Sequence, residues 1–314
     1  MGQKEREGIG IGIGMETKPI YDLGIPHEVV SYPKIIINAA ITGMVPQKKD
    51  TPHVPITPEE IIEDAIKCCK AGAAVVHLHA RDENGESTYK KEIYAKIIKG
   101  IRQSCPDLII CTSTSGRVHN TFEKRSEVLE LEGDVKPDMG SLTMGSMNFP
   151  NQASINTPEM IQNLALKMKE RGIVPEIEIF ESGMINTTRV LMNKGILQPP
   201  FYVNLLLGSI YSAQASLFDL SYMVKSLPPN VHWGAAGVGK FQLTMNLAAM
   251  LMGGHVRIGL EDNIYYDNNR KILATNEMLI QRLVAFAKEI GRDVATPHEA
   301  REILGLPGKQ LTKN

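Results

Sequence analysis

His77-Leu78-His79 closes the apolar run Ala73-Ala74-Val75-Val76 and has a spacing suited to metal chemistry. Successive side chains of a β-strand point to opposite faces, so residues two apart share a face. Two imidazoles placed this way at a strand end can close on one metal ion. A solitary His-x-His has a second reading, a core histidine with a satisfied hydrogen bond. What weighs toward the metal is Gly254-His255-Val256-Arg257-Ile258-Gly259-Leu260-Glu261-Asp262-Asn263, near the other end of the chain. It reads as a short strand running into an acidic loop. Two neutral imidazoles and one carboxylate, with positions left open for substrate, are a common catalytic zinc set. The same donors in facial array hold iron(II), so other divalent metals stay open. Against a metal role, Glu261 could cap a following helix and Asp262 could pair with Arg257 or Arg270.

Such groups need a scaffold to bring them together. Short β-branched runs recur at residues 34–40, 73–79, 108–113, 139–143, 174–180, 201–207, 231–236 and 255–258, alternating with segments of helical spacing. Thr57-Pro58-Glu59-Glu60 announces the first helix with an N-cap threonine, a proline at the first helical position and acids in the first turn. The signature returns at Thr157-Pro158-Glu159 and Thr296-Pro297-His298-Glu299, and Gly72, Gly172 and Gly195 mark helix ends. Eight β-then-α units with strands apolar on both faces predict one parallel α/β domain, a (β/α)8 TIM barrel. The expected organisation is an N-terminal arm over residues 1–32 and a single barrel over 33–314. A doubly wound open sheet is the alternative. Its phosphate-binding glycine pattern is missing from the first turn, Asn38-Ala39-Ala40-Ile41-Thr42-Gly43.

Composition narrows the class. The chain has 314 residues, 43% of them hydrophobic, enough for a large core. A formal net charge of -1 argues against a general nucleic-acid partner, which would need a clear excess of Lys and Arg. No apolar run approaches the roughly 18 residues that span a bilayer. The Gly-Ile alternation from Gly8 to Gly14 is too short and glycine-rich for a signal-peptide core. A cytoplasmic location without membrane association is the expectation. Cys68, Cys69, Cys105 and Cys111 include no Cys-x-x-Cys pair, which disfavours a thiolate zinc site.

The active site of a (β/α)8 barrel gathers at the C-terminal ends of its strands. His77 and His79 fall at the end of the second strand and Glu261 follows the eighth. Both strands flank the first once the barrel closes, so residues distant in sequence can converge. Ser113-Thr114-Ser115-Gly116 follows the third strand, and Ser141 with Thr143 ends the fourth. Gly237-Val238-Gly239-Lys240, after the seventh strand, could receive phosphate on backbone N–H groups or be an ordinary turn. His53, His119, His232 and His298 read as surface or supporting residues, Asp82–Gly85 as a turn, and Met139, Met144 and Met147 as packing.

At this point the chain resembles the β-keto acid cleavage enzyme family, whose founding member is a 3-keto-5-aminohexanoate cleavage enzyme. The matching blocks are Ala39–Gly43, Pro55–Glu60, His77–His79, Ser113–Gly116, Pro175–Glu178, Glu181–Met184, Gly253–His255 and Gly259–Ile264. The resemblance implies zinc on His77, His79 and Glu261, with Arg257 and Asp262 beside it. It implies keto acid contacts from Ser113, Gly116 and Ser141, the last where the founding member has Thr. The implied reaction condenses a β-keto acid with acetyl-CoA to give acetoacetate and a new acyl-CoA, in a homotetramer. One position departs. The founding member's Glu, which binds a substrate amino group, falls on Val45, so a less cationic tail is expected, with Lys48, Lys49 or Arg117 available to an acidic one. Asp262 is the candidate base, although a neighbouring Arg lowers a carboxyl pKa. A metal-dependent amidohydrolase is disfavoured because no histidine occurs between His119 and His232. A class II aldolase and a non-catalytic metal-binding barrel remain as alternatives.

Overall fold

Each of the eight β-branched runs becomes a strand, most of them trimmed at one or both ends. The computed structural model describes residues 32–307; the expected N-terminal arm, Tyr32 apart, lies outside the described residues. The strands are β1 (Ile37–Ala40), β2 (Val75–Leu78), β3 (Ile109–Thr112), β4 (Met139–Thr143), β5 (Val174–Ile179), β6 (Tyr202–Leu207), β7 (His232–Gly237) and β8 (His255–Ile258). All pair in parallel around a closed barrel, with β1 between β2 and β8. This is a (β/α)8 TIM barrel.

Helices α1 (Pro58–Ala71), α2 (Lys91–Ser104), α3 (Phe122–Ser126), α4 (Pro158–Arg171), α5 (Gly183–Asn193), α6 (Leu217–Ser226), α7 (Gln242–Leu251), α8 (Asn276–Glu289) and α9 (Pro297–Ile303) surround it. Thr57 caps α1 as expected, accepting from the Glu60 N–H while the Glu60 side chain accepts from the Thr57 N–H. Thr296 and Glu299 repeat the reciprocal pair on α9. The third unit departs from the simple pattern. Its helix α3 lasts five residues and gives way to two short 3-10 turns, which still bury Val128 and Leu129.

Alternation along the strands sorts the barrel interior into layers. The lower layer is apolar: Ile36, Val75, Ile109, Met139 and Tyr202 pack together and against Leu304 below α9. The layer above is polar, with Asn38, His77, Ser141, Glu176, Asn204 and Arg257 all buried. Charged groups cannot stay buried without partners, so this layer marks where the chemistry sits. The register sets it: His77 is the strand partner of Ala40, and the Glu261 N–H donates to the Ala40 carbonyl at 3.2 Å. Ala40 thus brings together groups far apart in sequence. Gly259 permits this, since a Cβ there would lie 2.0 Å from the Ala40 oxygen.

Candidate active site

Three ligand atoms converge at the top of β2 and β8. His77 Nε2 and His79 Nε2 are 3.4 Å apart. His79 Nε2 lies 3.4 Å from Glu261 Oε1, and His77 Nε2 lies 4.0 Å from Glu261 Oε2. Ligands held tetrahedrally at about 2.0–2.1 Å from zinc would be about 3.3 Å apart, so the triangle is near the size a metal requires. Glu261 Oε2 is buried with no hydrogen-bond partner, an acceptor left waiting for a cation. His77, Cys111 and Glu176 form a second cluster of ligand atoms. That set is closed by its own hydrogen bonds: Cys111 Sγ donates to Glu176 at 3.1 Å, and His77 Nδ1 pairs with Glu176 at 2.6 Å. The first set fits a metal better.

Glu176 is the main residue that the sequence reading missed. It lies on β5, fully buried beneath the ligands. Asn38 and Asn204 donate to its Oε1, while His77 and Cys111 meet its Oε2. A carboxylate on His77 Nδ1 places the ring proton there and leaves the Nε2 lone pair for a metal. A signal existed in the sequence: Glu176 and Glu178 share one face of a strand whose surroundings are apolar, and a buried acid needs a partner.

Arg257 on β8 gathers the other acids. Its guanidinium meets Glu261 at 2.7 Å, Asp262 at 3.1 Å and Glu178 at 3.3 Å. Thr143 donates to the far oxygen of Glu178 at 2.7 Å. Burial works against every charge here, and partners decide the outcome. Burial pushes His77 down, yet Glu176 leaves it above its ordinary value. Burial alone dominates at His79, which ends lower. Glu261 is raised by burial but held well below the usual carboxylate range by Arg257 and the two histidines. Asp262 corrects the expectation that Arg257 would lower it: burial outweighs the guanidinium and its carboxyl ends raised.

Two buried arginines, also missed, pin the mouth loops. Arg81 donates to the carbonyls of Gly43, Pro46 and Gly85 at 2.8–3.1 Å, fixing the first loop. Arg125 donates from Nε to the Thr114 carbonyl and from Nη2 to Asn156, both at 2.8 Å, fixing the third.

A cavity of about 500 Å³ opens over His79 and Glu261. Of the residues expected from sequence, Val45, His79, Ser113, Thr143, Gly239, Lys240, Arg257, Glu261 and Asp262 line it, as does Arg117. His77, Gly116, Ser141 and Gly237 are not on its wall. Gly116 packs against Arg125, and Gly237 against the Phe241 backbone. The Ser141 hydroxyl accepts from the Thr114 N–H at 3.2 Å, and the Gly239 N–H is donated to the Asp262 carbonyl at 2.7 Å. Lys48 is drawn to Glu60 at 2.7 Å, and neither it nor Lys49 lines the cavity.

The model of a family described as beta-keto acid cleavage enzyme matches residues 34–306. The chain belongs to that family. As a β-keto acid cleavage enzyme relative it is 44% identical over 275 residues to the 3-keto-5-aminohexanoate cleavage enzyme of Fusobacterium nucleatum, spanning 87% of this chain and 98% of that one. It is 36% identical over 279 residues to the 3-oxoadipate:acetyl-CoA acetyltransferase of Cupriavidus necator, spanning 88% and 96%. Among solved structures, apo ObcA superimposes with a TM-score of 0.75 at 21% identity, over 81% of this chain and 66% of the other, a likeness of fold. The chain is therefore an enzyme of the β-keto acid cleavage family with a site capable of holding a metal. No helix among the described residues is long and apolar enough to cross a membrane.

Proposed function

We propose that this enzyme condenses a β-keto acid with acetyl-CoA, yielding acetoacetate and a new acyl-CoA, as a single catalytic domain over residues 33–314. The observation that carries the proposal is the convergence of His77, His79 and Glu261 beneath a cavity whose wall also holds Asp262. His77, His79 and Glu261 would hold a divalent metal, zinc being the one their donor set commonly takes, and it would supply Lewis acidity to the keto acid oxygens. Asp262, anchored by Arg257, takes the proton from C2. The C2 carbanion forms a bond to the acetyl carbonyl and CoA leaves as thiolate. That thiolate adds to the former keto carbon, the C2–C3 bond breaks, and protonation at C2 releases acetoacetate.

Ser113, on the cavity wall, donates to the substrate carboxylate and to the oxyanions that develop, while Thr143, whose hydroxyl proton goes to Glu178, borders the substrate on the same wall. Gly116 and Ser141 act through the loop they hold, by packing on Arg125 and by accepting from Thr114. Lys240 offers its charge to CoA phosphate at the mouth, while Gly237 and Gly239 shape the turn that presents it. Val45, 64% exposed on the cavity wall, offers no carboxylate to a substrate amine, so the tail differs from that of 3-keto-5-aminohexanoate. Assembly as a homotetramer and a cytoplasmic location belong to the same proposal.

Acetyl-CoA-dependent acetoacetate formation by the zinc-loaded protein tests it, across β-keto acids with different tails. Turnover that disappears in His77→Ala is the expected result. A correctly metallated protein that turns over none of them would refute the reaction.

A further inference from the structure

Arg117 is a cation on the cavity wall that meets no anion among the described residues. Its guanidinium carbon stands 3.4 Å from the centroid of the Phe149 ring, and its Nε is buried without a hydrogen-bond partner. The carboxylates on the cavity wall are Glu178, Glu261 and Asp262, and all three pair with Arg257. Among the described residues no ion pair includes Arg117. Met44, Val45, Phe149 and Phe180 give the wall its apolar surface, and the other groups on it that carry charge, Lys240 and Arg270, are cations.

These facts discriminate among substrate tails. An ammonium tail would enter without a free carboxylate to receive it. A quaternary ammonium binds aromatic faces, but at Phe149 it would meet the Arg117 guanidinium already seated over the ring and be repelled by it. An alkyl tail would seal Arg117 from water and leave a desolvated charge unpaired. A carboxylate tail answers all three, because the guanidinium fork matches it in charge and geometry.

We infer that Arg117 is the specificity residue for a second carboxylate, at the end of the keto acid remote from its reacting carbons. The inference rests on the reading of this cavity as the β-keto acid site. Burial lowers the Arg117 pKa, and only Glu261 and Glu178 at longer range oppose it, so the site without substrate leaves the charge under-compensated.

The test compares the metal-loaded wild type with Arg117→Met and Arg117→Lys. Chain-matched β-keto acids end in carboxylate, ammonium, trimethylammonium or methyl. The wild type should prefer the carboxylate tail. Arg117→Met should lower kcat/KM for that substrate by roughly 10- to 100-fold, chiefly through KM, the loss expected for one charged hydrogen-bonding partner. The methyl-tailed substrate should change little, and Arg117→Lys should keep part of the preference. An equal loss for every tail would overturn the inference, since Arg117 would then serve the common head of the substrate. So would a raised KM for acetyl-CoA alone, or a wild-type preference for any other tail. Calorimetry with glutarate against pentanoate supplies a readout free of turnover. Glutarate preference that Arg117→Met removes supports the inference even if no keto acid reacts, and the proposed reaction would be what fails. Equal binding of the two acids overturns the inference whatever the turnover.

Discussion

Replacing Glu176 by glutamine probes the buried carboxylate beneath the proposed metal site. Its Oε1 accepts from Asn38 and Asn204, and its Oε2 meets His77 Nδ1 at 2.6 Å and Cys111 at 3.1 Å. Glutamine has the same length and can keep an oxygen toward the two asparagines. Its NH2 group then faces His77 Nδ1, which must accept instead of donate. The ring proton moves to Nε2, the atom that faces His79 and Glu261. A metal entering the site must displace that proton and loses the orienting charge behind the ring. Removing a carboxylate partner from a metal-ligating histidine costs about 10- to 100-fold in metal affinity, or about 1.4–2.7 kcal/mol. Competition against a chromophoric chelator near neutral pH measures this directly. Thermal unfolding of the metal-free protein, run in parallel, establishes that the variant folds. A folded Glu176→Gln protein that binds zinc as tightly as wild type would refute the argument that Glu176 fixes the His77 tautomer.

Gly43 sits at φ +65°, and a Cβ there would lie 2.6 Å from Cγ of Glu261. Gly43→Ala should therefore weaken metal binding as well as cost about 1–2 kcal/mol of backbone strain. Gly133→Ala, at φ +59° with nothing within 4 Å, is the control that carries the backbone cost alone. Equal metal affinity in the two variants would exclude the contact with Glu261. Asp64, at the α1–α8 contact, has its pKa raised from 3.8 to about 6, burial outweighing the hydrogen bond from Asn276. A raised folded-state pKa means stability that is fully present below about 3.8 and lost as pH rises through about 6. Asp64→Asn should thus stabilise the protein by up to about 3 kcal/mol above pH 6, with little effect at pH 3.5. Denaturant titrations at the two pH values check this, and a gain of the same size at both would exclude titration of Asp64 as its source.

Much of the scaffold was legible because its signals are local. Periods of two and 3.6 residues, threonine caps with proline behind them, and glycine helix ends are set by a few neighbouring residues; the caps appear as expected at α1, α4 and α9, and the glycine ends at α1, α4 and α5. The convergence of His77, His79 and Glu261 was legible because the two histidines share a strand face and Glu261 follows the last strand, which closes the barrel against β1. The family resemblance added roles that spacing alone left open. The third helix shows where local reading ends: Val128, Leu131 and Val135 keep helical spacing, yet the chain there forms 3-10 turns.

The sequence by itself therefore determined the barrel, its strand order and the identity of the converging donors. The tertiary structure decided what surrounds them. Glu176 is an ordinary strand acid until closure sets it against His77, Asn38 and Asn204. Arg81 and Arg125 reveal themselves as loop pins only through carbonyls that other segments bring to them. Arg257 had a predicted neighbour in Asp262, but its pairing with Glu178 spans half the barrel. Lys48, Lys49 and Arg117 were equivalent cations in the chain, and folding left Arg117 on the cavity wall and the other two off it. Local preferences are encoded residue by residue, whereas burial and charge balance belong to groups that meet only when the barrel closes.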